Sequence, residues 1–98
     1  MNKKIILIED DKDLQEIIKY NFSKEKYDVV LCSDGEESLD LIKHELPDLV
    51  ILDWMLPNLS GVEILRQIRA SKSLKKIPII MLTAVSYTHL TLPTTPYV

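Results

Sequence analysis

Four short apolar blocks punctuate the chain: Ile5–Ile8, Val29–Cys32, Leu49–Leu52 and Ile79–Leu82. Near-continuous apolar runs of this length suit strands buried on both faces, as in a parallel sheet. Between the first two blocks, Leu14, Ile17, Ile18, Asn21 and Phe22 keep i, i+3, i+4, i+7, i+8 spacing. That is one face of a helix, with Asn21 as its polar exception. The next two connections carry helix-start signals. Ser33-Asp34-Gly35-Glu36 and Ser60-Gly61-Val62-Glu63 each place a hydroxyl three residues before a glutamate, the pattern of a capping box. Behind them Leu39, Ile42 and Leu46, then Ile64, Leu65 and Ile68, predict buried stripes. Pro47 and Pro78 stand at the entrances of the following strands, where a missing N–H is tolerated. The pattern is βαβαβαβ, and right-handed crossovers make that a parallel sheet covered on both faces.

Composition narrows the class. With 98 residues, 46% hydrophobic and 28% charged, the chain reads as one globular domain. The run Ile5–Ile8 ends at Glu9-Asp10-Asp11, too short for a signal-peptide core or a membrane span. A single cysteine, Cys32, cannot form an internal disulfide, which fits the cytoplasm. A net charge of −3 leaves no basic footprint for nucleic acid. The charge is unevenly spread: every Lys, Arg, Asp and Glu lies between Lys3 and Lys76, whereas the first threonine is Thr83. The end of the chain was not shaped with the rest.

In an open α/β sheet the binding crevice lies beyond the carboxyl ends of the strands. Glu9, Asp10 and Asp11 follow the first strand, Asp53 the third and Thr83 the fourth. In the flavodoxin-like order 2-1-3-4-5 the first and third strands are neighbours, so Glu9, Asp10 and Asp53 converge. Two carboxylates 4 Å apart repel by about 4 kcal/mol at an effective dielectric near 20, which a proton or a cation must offset. An oxygen-only site with room for water favours Mg²⁺. Asp11 and Asp13 are expected only to cap the first helix. Asp53 precedes its helix by too many residues to do so. Cys32 is expected to fill the core, and His44 to complement a helix C-terminus.

These residues resemble the receiver domain of bacterial two-component response regulators. The likeness rests on Ile-Ile-Leu-Ile-Glu-Asp-Asp, on Leu-Val-Ile-Leu-Asp-Trp-Met-Leu-Pro-Asn-Leu-Ser-Gly and on Ile-Pro-Ile-Ile-Met-Leu-Thr-Ala. Asp-Trp-Met-Leu-Pro is further similar to the OmpR/PhoB subgroup, especially its phosphate-regulon regulators. The resemblance implies a flavodoxin-like (CheY-like) doubly wound sheet and a non-enzymatic phosphoacceptor switch. Asp53 would accept the phosphoryl group from a sensor histidine kinase. Asp10, the Met55 backbone carbonyl and, through water, Glu9 would hold Mg²⁺ beside Asp53. Thr83 would be the switch hydroxyl, and Pro57 and Gly61 would shape the following loop, Gly61 through a backbone conformation that a Cβ resists. A Mg²⁺-dependent phosphatase or phosphotransferase using Asp53 as covalent nucleophile is the rival reading. Such enzymes commonly carry a second Asp two positions on, where this chain has Met55. A plain binding module or non-functional fragment is the third.

The resemblance covers residues 3–84. The fifth strand, two further helices, the phosphate-pairing lysine, the dimerisation surface and a DNA-binding effector domain are expected beyond it and are not in this chain. Residues 1–84 therefore read as a partial receiver. Residues 85–98 read as a non-native tail, a transposase sequencing adapter translated in frame.

Overall fold

The computed structural model describes residues 2–56 and 58–82. They form β1 (Lys4–Ile8), α1 (Lys12–Lys24), β2 (Asp28–Cys32), α2 (Gly35–Glu45), β3 (Leu49–Asp53), α3 (Gly61–Ala70) and β4 (Ile79–Leu82). All four apolar blocks are strands, three of them one residue longer than the block itself. The sheet is parallel throughout, in the order β2-β1-β3-β4. This is the flavodoxin-like arrangement that the sequence predicts.

Alternation along each strand divides the core into two layers. Ile6, Ile8, Val50 and Leu52 pack with Ile42 of α2 and Ile64 and Ile68 of α3. Ile5, Leu7 and Ile51 point the other way, where Ile18 and Phe22 of α1 pack against them. Residues buried on both faces explain why the strands read as unbroken apolar runs. Full burial of each such side chain contributes roughly 1.5–3 kcal/mol, so the central pair β1 and β3 anchors the domain.

Local details depart from the expected pattern at four places. On α1 the stripe is only partly buried: Ile17 is 58% exposed and Leu14 is also exposed, whereas Gln15 is nearly fully buried. Helix α1 packs on one face of the sheet, and the rotation that seats Ile18 and Phe22 there turns Ile17 outward. In α2 the N-cap is Asp34 rather than Ser33; its carboxylate accepts from Glu36 N–H at 2.9 Å. Ser33 is left to face α1. At the other end, Leu46 adopts the left-handed region (φ 47°) and is exposed instead of packed. Its N–H still closes on the Ile42 carbonyl at 2.9 Å, which ends the helix just before Pro47. In α3, Ser60 caps Glu63 N–H at 3.2 Å as expected, but the Glu63 carboxylate pairs with Arg66 and Gln67 instead of reaching back.

Candidate functional site

Register builds the site. Ile8 of β1 lies opposite Leu52 of β3, so the residues that follow, Glu9 and Asp53, leave the sheet side by side. Glu9 N–H remains tied to the Cys32 carbonyl of β2 at 2.9 Å, which keeps it within the sheet's edge. Asp11 turns the chain into α1 as its N-cap, accepting from Asp13 and Leu14 N–H. Asp11 and Asp13 are thus helix-start residues, as the sequence suggests.

Glu9, Asp10 and Asp53 each bring a carboxylate oxygen within 4.8 Å of the others. Among the described residues this is the group of His, Cys, Asp or Glu side chains that could jointly hold an ion. Glu9 and Asp53 are buried and Asp10 is exposed, so the cluster opens to solvent on one side. Cys32 is buried in the core and His44 lies in the last turn of α2, both outside the cluster.

Burial pushes the Glu9 carboxyl up from its ordinary 4.5 to about 7. The Asp11 N–H, donated to Glu9 Oε2 at 3.0 Å, partly offsets this, while Asp53 and then Asp10 push it higher. A carboxyl whose folded-state pKa is raised binds its proton more tightly when folded. Without a cation, that contribution to stability is present below about 4.5 and is lost as pH rises through about 7. A cation held beside Glu9, directly or through water, would favour the ionised carboxylate over the protonated one. Mg²⁺ affinity should therefore weaken by up to about tenfold per pH unit below about 7, and Glu9→Gln should flatten the dependence. Isothermal titration between about pH 6 and pH 8 checks this. An affinity independent of pH would contradict it.

The β3–α3 loop completes the site. Asp53 runs straight into Trp54 and Met55, both exposed, and Met55 N–H donates to Asp53 Oδ1 at 3.3 Å. Trp54 is held by both of its main-chain polar groups: its N–H donates to the Leu82 carbonyl and its carbonyl accepts from Gly61 N–H at 3.0 Å. Gly61 matters for a different reason than the sequence suggests. No glycine has positive φ. A Cβ on Gly61 would instead fall inside contact distance of the Asp53 carbonyl oxygen and lie 3.0 Å from Trp54 Cα. Helix α3 can begin this close to the acid loop only because that Cβ is absent. Pro57, Thr83 and residues 85–98 lie outside the described residues.

Three oxygen donors, two of them buried and mutually repelling, match the chemistry of a small hard divalent cation with waters completing its shell. The residues present therefore fit Mg²⁺.

The family model for the response regulator receiver domain matches residues 5–92. The chain belongs to this family. The receiver is 45% identical over 84 residues to PhoP, the alkaline phosphatase synthesis transcriptional regulatory protein of Bacillus subtilis. That alignment takes in 86% of this chain but 34% of PhoP, so the receiver spans about one third of that regulator. Among solved structures it is similar to the receiver domain of a sensor histidine kinase from Pseudomonas aeruginosa PAO1, described with a magnesium ion coordinated in the active-site cleft. There the TM-score is 0.81 at 32% identity, over 86% of this chain and 69% of that one. It is also similar to the BeF3-activated N-terminal receiver domain of RstA from Klebsiella pneumoniae. Here the TM-score is 0.78 at 34% identity, over 86% and 69% of the two chains.

Three residues that shape this receiver's site escape sequence reasoning. Gln15 sits beside an apolar stripe and reads as solvent-facing, yet it is buried against the Glu9 loop. Asn58 lies in the β3–α3 loop and Gly35 begins α2, and only the fold brings Asn58 to Asp34 and Gly35 to Leu59. The faint signal for Gln15 is its place one turn behind the Asp11 cap, within reach of the preceding loop.

Proposed function

We propose that this chain is a phosphoacceptor switch in which Asp53 takes a phosphoryl group from the phosphohistidine of a sensor histidine kinase. The observation that carries this reading is the meeting of three carboxylate oxygens within 4.8 Å at the end of β3. Asp53 there caps no helix, because α3 is capped by Ser60. Asp10 and the Met55 main-chain carbonyl would hold Mg²⁺ directly, with Glu9 reaching it through water. When bound, Mg²⁺ supplies positive charge that offsets repulsion between the carboxylate and the incoming phosphoryl group.

The chain's own part is positional. Met55 N–H holds Asp53 Oδ1, and the second carboxylate oxygen is the nucleophile. An Asp53 O–P bond forms as the P–N bond of the donor breaks. The departing imidazole keeps the electron pair and takes up a proton, leaving an acyl phosphate on Asp53. Thr83 would then turn its hydroxyl to a phosphoryl oxygen; its neighbour Leu82 pairs with Asp53 across β3 and β4. Met55, two positions beyond Asp53, offers no acid or base for turnover, which favours a switch over a phosphatase. PhoP is a transcriptional regulatory protein, and by that likeness the output of this receiver would pass to DNA through an effector domain outside this chain. No described helix is long and apolar enough to cross a membrane, and Cys32 is a free thiol; both agree with a cytoplasmic role.

Titrating the chain with Mg²⁺ while recording fluorescence of the exposed Trp54 tests the site. A saturable change is expected that Asp10→Asn and Asp53→Asn each weaken by about tenfold or more. A wild-type response identical to that of both variants would remove the assignment.

A further inference from the structure

The β2–α2 turn, Ser33 to Gly35, contains no member of the acid cluster, yet both loops that carry the cluster are fastened to it. On one side the buried Gln15 of α1 uses its amide nitrogen twice. It donates to the main-chain carbonyl oxygen of Glu9 and, at 2.9 Å, to Ser33 Oγ. On the other side Asp34 Oδ1, which already caps α2, accepts from Asn58 Nδ2 at 3.2 Å. Gly35 lies so close to the β3–α3 loop that a Cβ would collide with the Leu59 carbonyl oxygen and press on Ile64 Cδ1 at 3.2 Å. Asn58 itself adopts a left-handed φ of 29°, the conformation that turns its amide toward Asp34.

A buried amide costs free energy unless its donors are satisfied, and an apolar residue would pack at this position without that demand. Here the donors are spent on the backbone of the first acid and on the turn that also grips the loop of the third. We infer that Gln15 is a positioning residue, and that Gln15 with the Ser33–Gly35 turn braces Glu9 against Asp53 and sets the spacing of the cation site. This rests on the proposed reading of that site as one for Mg²⁺. The hydroxyl of Ser33 and the amide of Asn58 are parts of the same brace, so their removal should not add fully to that of Gln15.

Two measurements on the whole chain separate the brace from the metal. Gln15→Met keeps the volume and deletes both donors. Without any metal, it should speed hydrogen exchange of the Asp11 amide, which Glu9 Oε2 accepts, by about tenfold relative to amides in β3. With Mg²⁺, it should weaken affinity by about tenfold. Ser33→Ala should reproduce part of both effects while Ser33→Thr restores them. Asn58→Gly, which tolerates the same backbone conformation, should weaken Mg²⁺ without touching Asp11 exchange. If Gln15→Met does not fold, Ser33→Ala against Ser33→Thr decides. Unchanged Asp11 exchange in a folded Gln15→Met or in Ser33→Ala overturns the brace, whatever the metal does. A wild-type chain silent to Mg²⁺ overturns the proposed function instead, and the exchange difference still judges the brace.

Discussion

Asp53→Ala will abolish phosphoryl acceptance. Incubated with a small acyl phosphate and Mg²⁺, the wild-type chain should gain a base-labile phosphoryl group detectable by intact mass. On the proposed role of Asp53 as acceptor, the variant should fall to background, a loss of at least about 100-fold. Glu9 is buried with its carboxyl raised to about 7, and Asp10 is exposed, so neither is poised as Asp53 is at the end of β3. Labelling of wild type is expected to be slow, since no lysine follows Lys76 to pair with the transferred group. The comparison is clean because Asp53 pairs with Leu82 through the main chain. Removing its charge also relieves one of the influences that raise Glu9. The variant should therefore unfold at or above the wild-type temperature. Labelling that survives Asp53→Ala would place the acceptor elsewhere.

Gly61→Ala carries the second large effect, and its sign is diagnostic. Gly61 is the first residue of α3 and has no positive φ. Backbone entropy alone would then make alanine stabilising by about 0.4–1 kcal/mol. Contact geometry says the opposite. The new methyl would meet the carbonyl oxygen and carbon of Asp53, main-chain atoms of a central strand that cannot swing aside as a flexible side chain would. Overpacking of this kind costs about 1–3 kcal/mol. The relief available is to push the Asp53–Trp54 peptide away, which breaks the Gly61 N–H to Trp54 carbonyl bond and moves the carboxylate. Urea unfolding should show the lower midpoint, and Mg²⁺ titration a weakened site. A stabilised variant with unchanged Mg²⁺ affinity would show that α3 can shift as a body and that the approach is not tight.

Much of this was legible in the chain. Strands buried on both faces must be apolar at every position, so Ile5–Ile8 and Leu49–Leu52 declare themselves without alternation. Once their order is flavodoxin-like, acids written directly after β1 and β3 have one place to meet. The capping roles of Asp11 and Ser60 follow from local hydrogen bonding and need no tertiary information. Local rules failed where two elements compete for one surface. Leu14 and Ile17 obey helical spacing, but the rotation of α1 is set by how Ile18 and Phe22 seat on the sheet, and that turns Gln15 inward. Ser33 and Asp34 are both good caps, and the fold uses Asp34 to cap α2 while Ser33 Oγ accepts from Gln15.

The sequence by itself determined the four strands, their parallel direction and the identity of the acids, because hydrophobic period and strand-end placement are written in consecutive residues, whereas the strand order was implied by the family resemblance. Only the tertiary structure decided that Glu9 is buried enough to hold a proton near neutral pH, that Gln15 grips its carbonyl, and that Gly61 must lack a side chain. Each of these depends on the distance between segments far apart in the chain, and desolvation and steric contact exist only once those segments are packed.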